Sequence, residues 1–174
     1  MSSSSDSAAP RVVIDTQTVM DWLVFQEPSV MPLADAVTAG RLQWLGHPSM
    51  LEELLHVLGR GVAASRNPDV AAIQAVFAAQ CRQIEAIPPR APRLVCRDTD
   101  DQIFIDLALA QGAKWLISRD RAVLALAKRA RPFGLEILSA PQWVKLQAAA
   151  TQPDQFDSCS ATRYIANNDQ ELPA

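Results

Sequence analysis

Histidine is almost missing from this chain: His47 and His56 are the only two in 174 residues. Neither has a cysteine or a second histidine at zinc-binding spacing, which excludes a zinc site built on imidazole. Glu53 and His56 do stand at the Glu-x-x-His spacing of a di-iron helix, but that architecture needs a second copy and the chain has none. Glycine is also scarce, at six residues, with neither G-x-G-x-x-G nor a P-loop, so nucleotide-cofactor chemistry is excluded. Cys81, Cys96 and Cys159 are odd in number and widely spaced, without a C-x-x-C pair. They read as two core thiols and one thiol in a tail rather than a disulfide framework. No apolar run approaches the ~20 residues of a membrane span, and the longest, 103–111, is interrupted by Asp106. The opening MSSSSDSAAP lacks the basic and apolar regions of a secretory signal. The expected address is therefore the cytoplasm.

What remains is the composition of an ordinary globular protein, 49% hydrophobic and 20% charged, at a length that suits one domain with a full core. The net charge of −3 is unevenly placed. Asp154, Asp157, Asp169 and Glu171 face Arg163 alone, so the end of the chain carries the whole excess and the rest is balanced. Residues 1–10 are serine-rich and residues 151–174 are polar. The sequence therefore predicts flexible segments at 1–10 and 151–174 around one folded domain at 11–150.

Within that domain, short β-branched runs alternate with helical stretches, the pattern of a mainly parallel sheet wound by crossover helices. Strands are expected at Arg11–Asp15, Leu42–Leu45, Leu94–Cys96, Lys114–Ser118 and Leu135–Leu138. About six helices complete a three-layer α/β/α sandwich. One helix runs through Val30, Leu33, Ala36 and Val37 and stops at Gly40. The next starts from a capping box, Ser49-Met-Leu-Glu52, in which the Glu52 carboxylate reaches back to the Ser49 amide. A long helix from Asp69 carries Val70, Ile73, Val76, Phe77 and Ile84 and ends at Pro88 and Pro89. Others cover 98–112 and 121–130, and Pro141 opens the last. Trp22, Trp44, Trp115 and Trp143 fall in apolar periodic positions and read as core.

Ligands of open α/β sheets collect outside the carboxyl ends of the strands, where Asp15 and Asp120 both fall. If their strands are neighbours, the two carboxylates share a crevice and call for a cation, with Mg2+ or Mn2+ the hard ions that suit oxygen ligands. Glu53 is about 100° around its helix from the capping Glu52. It is either a solvated first-turn acid or a working one. Asp98 and Asp101 are similarly ambiguous, since Asp98 can cap a helix whose third position is Asp101.

The segments VVIDTQTVMDWL, SMLEELLHVLGR and RDTDDQIFIDLALAQGAKWLISRDRAVLAL resemble the signature blocks of PIN-domain nucleases, in particular the VapC-like toxins of toxin–antitoxin pairs. The resemblance runs from about Arg11 to Trp143. It maps the family's first acid onto Asp15. It selects Glu53 over Glu52 through the pattern Glu53-Leu-Leu-His-Val-Leu58, matches the acidic cluster with Asp98-Thr-Asp-Asp101, and matches the fourth acid with Ser118-Arg-Asp120. The family's usual Asn after the first acid is Gln17 here.

The resemblance implies a PIN-like fold and hydrolysis of RNA phosphodiesters with Mg2+ or Mn2+. Asp15, Glu53, Asp101 and Asp120 would be both catalytic and metal-binding residues, with Gln17, Asp98 and Ser118 in support. It also implies a small antitoxin partner and a homodimer, for which the apolar helix at 69–85 is either a dimer surface or ordinary core. Arg119, Arg121, Lys128 and Arg129 are either RNA contacts or a solvated helical face. The rival reading is a non-catalytic binding or signalling domain, an inactive PIN domain or a receiver. A receiver usually has an acidic pair at its first strand and a lysine after its last, whereas Asp15 has no acidic neighbour and Leu138 leads into Ser139-Ala140.

Overall fold

A computed structural model of the chain describes residues 8–88 and 94–151. The expectations for Pro89, for Cys159 and for nearly all of the two terminal segments lie outside these residues. Five parallel strands form one sheet: β1 (Arg11–Ile14), β2 (Gln43–Gly46), β3 (Cys81–Gln83), β4 (Trp115–Ile117) and β5 (Glu136–Leu138), in the order β3-β2-β1-β4-β5. The helices are α1 (Thr16–Leu23), α2 (Met31–Thr38), α3 (Pro48–Gly59), α4 (Val70–Gln80), α5 (Gln102–Ala110), α6 (Arg121–Leu124), α7 (Ala127–Ala130) and α8 (Ala140–Thr151).

With the right-handed crossovers that parallel strands take, the order β3-β2-β1-β4-β5 puts α1 to α4, which wind β1 out to β3, on one face and α5 to α7 on the other. The chain reverses its winding between β1 and β4, which pair from Val12 with Trp115 to Ile14 with Ile117. Both strands are buried along these residues, as their unbroken apolar runs require of a sheet covered on two faces. All four tryptophans are buried, as expected. Trp44 meets Trp22 at 5.4 Å and the edge of Phe77 at 4.8 Å, and Trp115, in register with it across Val12, meets Trp143 edge-on at 6.0 Å. Each such pair adds about 0.5–1.5 kcal/mol beyond its buried area.

Five local expectations are corrected. The third strand is Cys81–Gln83, not Leu94–Cys96, and the long helix stops at Gln80. Ile84 continued the helical spacing of Ile73 and Phe77, yet its amide bonds to the Gly46 carbonyl at 2.8 Å as an extension of the β2–β3 pairing. Leu94 and Cys96 are buried around an exposed Val95, the alternation of a strand. Among the described residues no strand pairs with them, and the Gln102 side chain does instead: its Oε1 accepts from the Cys96 amide at 2.7 Å and its Nε2 donates to the Leu94 carbonyl at 2.8 Å.

The Ser49 capping box is replaced by one two residues earlier. His47 is the N-cap of α3, Pro48 is the first helical residue, and the His47 ring Nδ1 accepts from the Ser49 amide at 3.2 Å. Met50 Sδ, rather than a Glu52 carboxylate, accepts the His47 amide at 3.3 Å. Proline leads here because its fixed φ and missing N–H suit the first turn. The helix expected at 98–112 starts only at Gln102, and that expected over 121–130 is broken at Ala125–Leu126 into α6 and α7. Gly40 ends the second helix as expected, at a φ of +69°.

Gly46 joins β2 to β3 closely. A Cβ there would lie 2.6 Å from Cys81 Sγ and 3.4 Å from Phe77 Cζ. Gly46→Ala is expected to cost about 1–3 kcal/mol by overpacking. Cys81→Ala in the same background should return part of that loss in chemical denaturation. Additive losses in the double variant would show that the clash is not with Cys81.

Candidate functional site

Asp15 and Asp120 stand one past and three past the paired ends of β1 and β4, on the carboxyl edge of the sheet where the winding reverses. Each caps the helix that follows. Asp15 Oδ1 accepts from the Thr18 amide at 2.7 Å at the start of α1. Asp120 Oδ1 accepts from the Ala122 amide at 2.6 Å and the Val123 amide at 3.3 Å at the start of α6. Ser118 lies between them and is fully buried. Its hydroxyl donates to Asp15 Oδ2 at 2.5 Å and accepts from the Asp120 amide at 3.0 Å. One hydroxyl thus fixes the conformation of both strand ends.

Glu53 comes from the second turn of α3 and is exposed, but Thr16 Oγ1 donates to its Oε2 at 2.8 Å. That bond ties α3 to the residue following Asp15. Asp101 precedes α5 with helical backbone and no side-chain cap bond, so the capping role considered for the Asp98 cluster is not played by Asp101. Asp98 Oδ1 accepts only the Asp100 amide, at 3.0 Å, in a local turn. Capping therefore belongs to Asp15 and Asp120 and leaves Asp101 free.

The electrostatics bring the acids together. Burial raises the Asp101 carboxyl, and Asp120, Asp98, Asp15 and Glu53 each raise it further, from the ordinary 3.8 to about 6. Burial also raises the Asp15 carboxyl, against the opposing hydrogen bonds from Ser118 and Thr18. In kind, this donor set fits a hard divalent cation, whose charge would offset the repulsion. Among the described residues no three His, Cys, Asp or Glu side chains converge closely enough to chelate an ion as they stand.

Arg119, adjacent to Ser118, is not the counter-ion. Its Nη1 lies 3.2 Å from Asp21 Oδ2 and its Nε donates to Gln17 Oε1 at 3.3 Å. Gln17 is exposed and contacts Arg119, not Asp15. Arg121 and Arg129 line a pocket beside Asp120, whereas Lys128 is exposed on α7 away from it. Three residues of this edge escaped the reading of the sequence: Thr16, Asp21 and Arg97. Thr16 could have been found from its place after Asp15. Asp21 is a charged residue on the apolar face of α1, the signal of a buried acid with a partner.

A carboxyl raised above its unfolded value keeps its extra proton only at low pH. Stability from protonated Asp101 is complete below about pH 4 and is lost as pH rises through about 6. In protein free of divalent ions, Asp101→Asn is expected to raise the melting temperature at pH 7 and to reduce the fall in stability across that window. A variant whose melting profile parallels the wild type at every pH would refute the repulsion.

No helix among the described residues is long and apolar enough to cross a membrane. Comparison with curated proteins and with solved structures finds no match for this chain. The family model for the PIN domain matches residues 11–122, a span that contains Asp15, Glu53, Asp101 and Asp120. With that match over most of its length, and with a five-stranded parallel sheet in three layers that carries acids at its switch point, the chain belongs to the PIN-domain nuclease family.

Proposed function

We propose that the chain is an Mg2+- or Mn2+-dependent endoribonuclease. The observation that carries this reading is the gathering of acids at the β1–β4 switch, where Ser118 joins Asp15 to the Asp120 backbone, Thr16 holds Glu53 beside Asp15, and Asp101 feels the charge of all three. Asp15, Glu53, Asp101 and Asp120 would hold the ion. Bound there, it would lower the pKa of an attacking water and offset charge on the leaving oxygen of an RNA phosphodiester. The protein's own share is positional. Ser118 aims Asp15, Thr16 aims Glu53, and the helix starts at Asp15 and Asp120 support their charges. Histidine has no evident part, since His47 caps α3 and His56 is exposed on it.

The resemblance of the three blocks to VapC-like proteins supports a cytoplasmic toxin, held inactive by a small antitoxin that covers the acidic crevice. A homodimer through α4 fits the same reading. That helix turns Ile73 and Phe77 into the core and leaves Val70, Ala71, Ala72, Ala75, Ala78 and Ala79 uncharged and exposed. The inactive-PIN alternative rested on Gln17, whose side-chain oxygen accepts from Arg119 while Asp15 is held by Thr18 and Ser118.

With a labelled single-stranded RNA pool and Mg2+ or Mn2+, wild-type protein should cleave, while Asp15→Asn and Asp120→Asn should fall to background. Ser118→Ala should lose about 10–100-fold, the usual effect of removing a group that orients a metal ligand. Equal cleavage by all four proteins would place the activity elsewhere. For the dimer, Ala75→Glu should give a monomer in analytical ultracentrifugation, and a wild type that is already monomeric would remove α4 from the reading.

A further inference from the structure

Beside the acidic crevice lies an open pocket of about 920 Å3 between the segment 95–99 and α6–α7. It shares Asp98 and Asp120 with the crevice. Its apolar lining comes from Val95, Ala125 and Leu126, and its cations from Arg97, Arg121 and Arg129. None of the three arginines is paired with a carboxylate among the described residues, in contrast to Arg119, which Asp21 holds. The wall that carries Val95 and Arg97 is not loosely placed. Gln102 is buried and grips it through the Cys96 amide and the Leu94 carbonyl, and its own Nε2 also donates to Asp106 Oδ1 at 2.8 Å.

The sign of the charge therefore reverses across Asp120, from acids on one side to unpaired guanidinium groups on the other. A ligand that spans both must offer a group for a cation at one end and an anion one link further on. A polynucleotide chain does this, with one phosphate at the crevice and the next within reach of planar, bidentate arginines. The apolar lining between them suits the face of a base, and the volume falls within the usual range for small-ligand sites. We infer that this pocket takes one unpaired nucleotide adjoining the cleaved phosphodiester, its base against Val95, Ala125 and Leu126 and its phosphate on Arg97, Arg121 and Arg129. This rests on the ribonuclease reading for the word cleaved, but the binding itself does not. A base in a duplex has both faces covered, so the pocket selects single strands.

Ala125 is exposed between α6 and α7, so a tryptophan there fills the pocket from its open side. Binding is read by fluorescence anisotropy of a labelled single-stranded oligoribonucleotide in EDTA, where no divalent ion supports hydrolysis, with the same strand in a blunt duplex and a single-stranded DNA of the same sequence as comparisons. Thermal melts check that each variant is folded. Ala125→Trp should weaken single-strand binding about tenfold or more, the scale of one lost base contact. Arg129→Ala should lower the slope of log K against log salt by about 0.7, as for one lost phosphate contact on a single strand. In cleavage, both variants should raise KM with little change in kcat. The duplex should bind weakly and be indifferent to Ala125→Trp. Single-stranded DNA binding as tightly as RNA would support the pocket and show that it does not read the 2′-hydroxyl. Folded variants that bind and cleave like the wild type would overturn the pocket and leave the ribonuclease reading intact. Binding lost in Ala125→Trp, with no cleavage by any protein under any metal, would keep the pocket and overturn the ribonuclease reading.

Discussion

Asp15 and Asp120 place two carboxylates at the ends of adjacent parallel strands, where each raises the Asp101 carboxyl, and the carboxyl edge of this sheet is organised around keeping them there. The Ser118 hydroxyl joins the two strand ends, accepting from the Asp120 backbone amide and donating to the Asp15 carboxylate. Each carboxylate also spends one oxygen on the amides of a helix start, where the peptide dipoles favour negative charge. These bonds do not neutralise the edge, because burial still leaves the Asp15 carboxyl raised. They hold its geometry while leaving its charge in demand of a partner. That is the arrangement expected where the partner is supplied from solution.

Arg119 makes the same point by its position. It is next to Ser118 in sequence and could lie across the crevice as an internal counter-ion. The carboxylate of Asp21, largely buried in α1, draws it away instead. Burial raises the Asp21 carboxyl, and Arg119 is the opposing influence that favours its charge. The pair is thus mutually required: Asp21 needs a cation because it is buried, and Arg119 is kept from the acids by satisfying it. On the other side of Asp120 the arginines have no such partner among the described residues, and the electrostatic contrast between crevice and pocket follows from which guanidinium is spoken for.

The layer architecture and the placement of acids at the strand ends were legible in the sequence because both depend on unbroken apolar strands that end in acids. VVID and WLISRD show this directly. The β3 assignment was not legible. Cys81–Gln83 is three residues long with two of them exposed, and it carries no β pattern of its own. Its pairing depends on Gly46, whose missing side chain admits Cys81. Leu94–Cys96 has the pattern of a strand but finds a glutamine side chain where a neighbouring strand would be. Local alternation reports burial on one face and cannot report what satisfies the backbone. Capping was misassigned for a related reason. Ser49 and Asp98 have side chains suited to it, but Pro48 moved the start of α3 back to His47, and Asp15 and Asp120 took caps that the metal reading alone would not have asked of them.

Gln17 shows how a departure from a family pattern can be local and compensated. A shorter amide at this position would stay near Asp15, where an Asn could orient the carboxylate. Here Asp15 is already oriented by Thr18, Ser118 and the Arg119 backbone amide, so no side-chain amide is needed to fix it. The longer arm of glutamine reaches across to the Arg119 Nε and adds to the hold of Asp21 on the same guanidinium. The extra methylene therefore moves the amide from positioning an acid to restraining the cation that would otherwise compete for it. On this account the substitution preserves the unbalanced charge of the crevice by a different route.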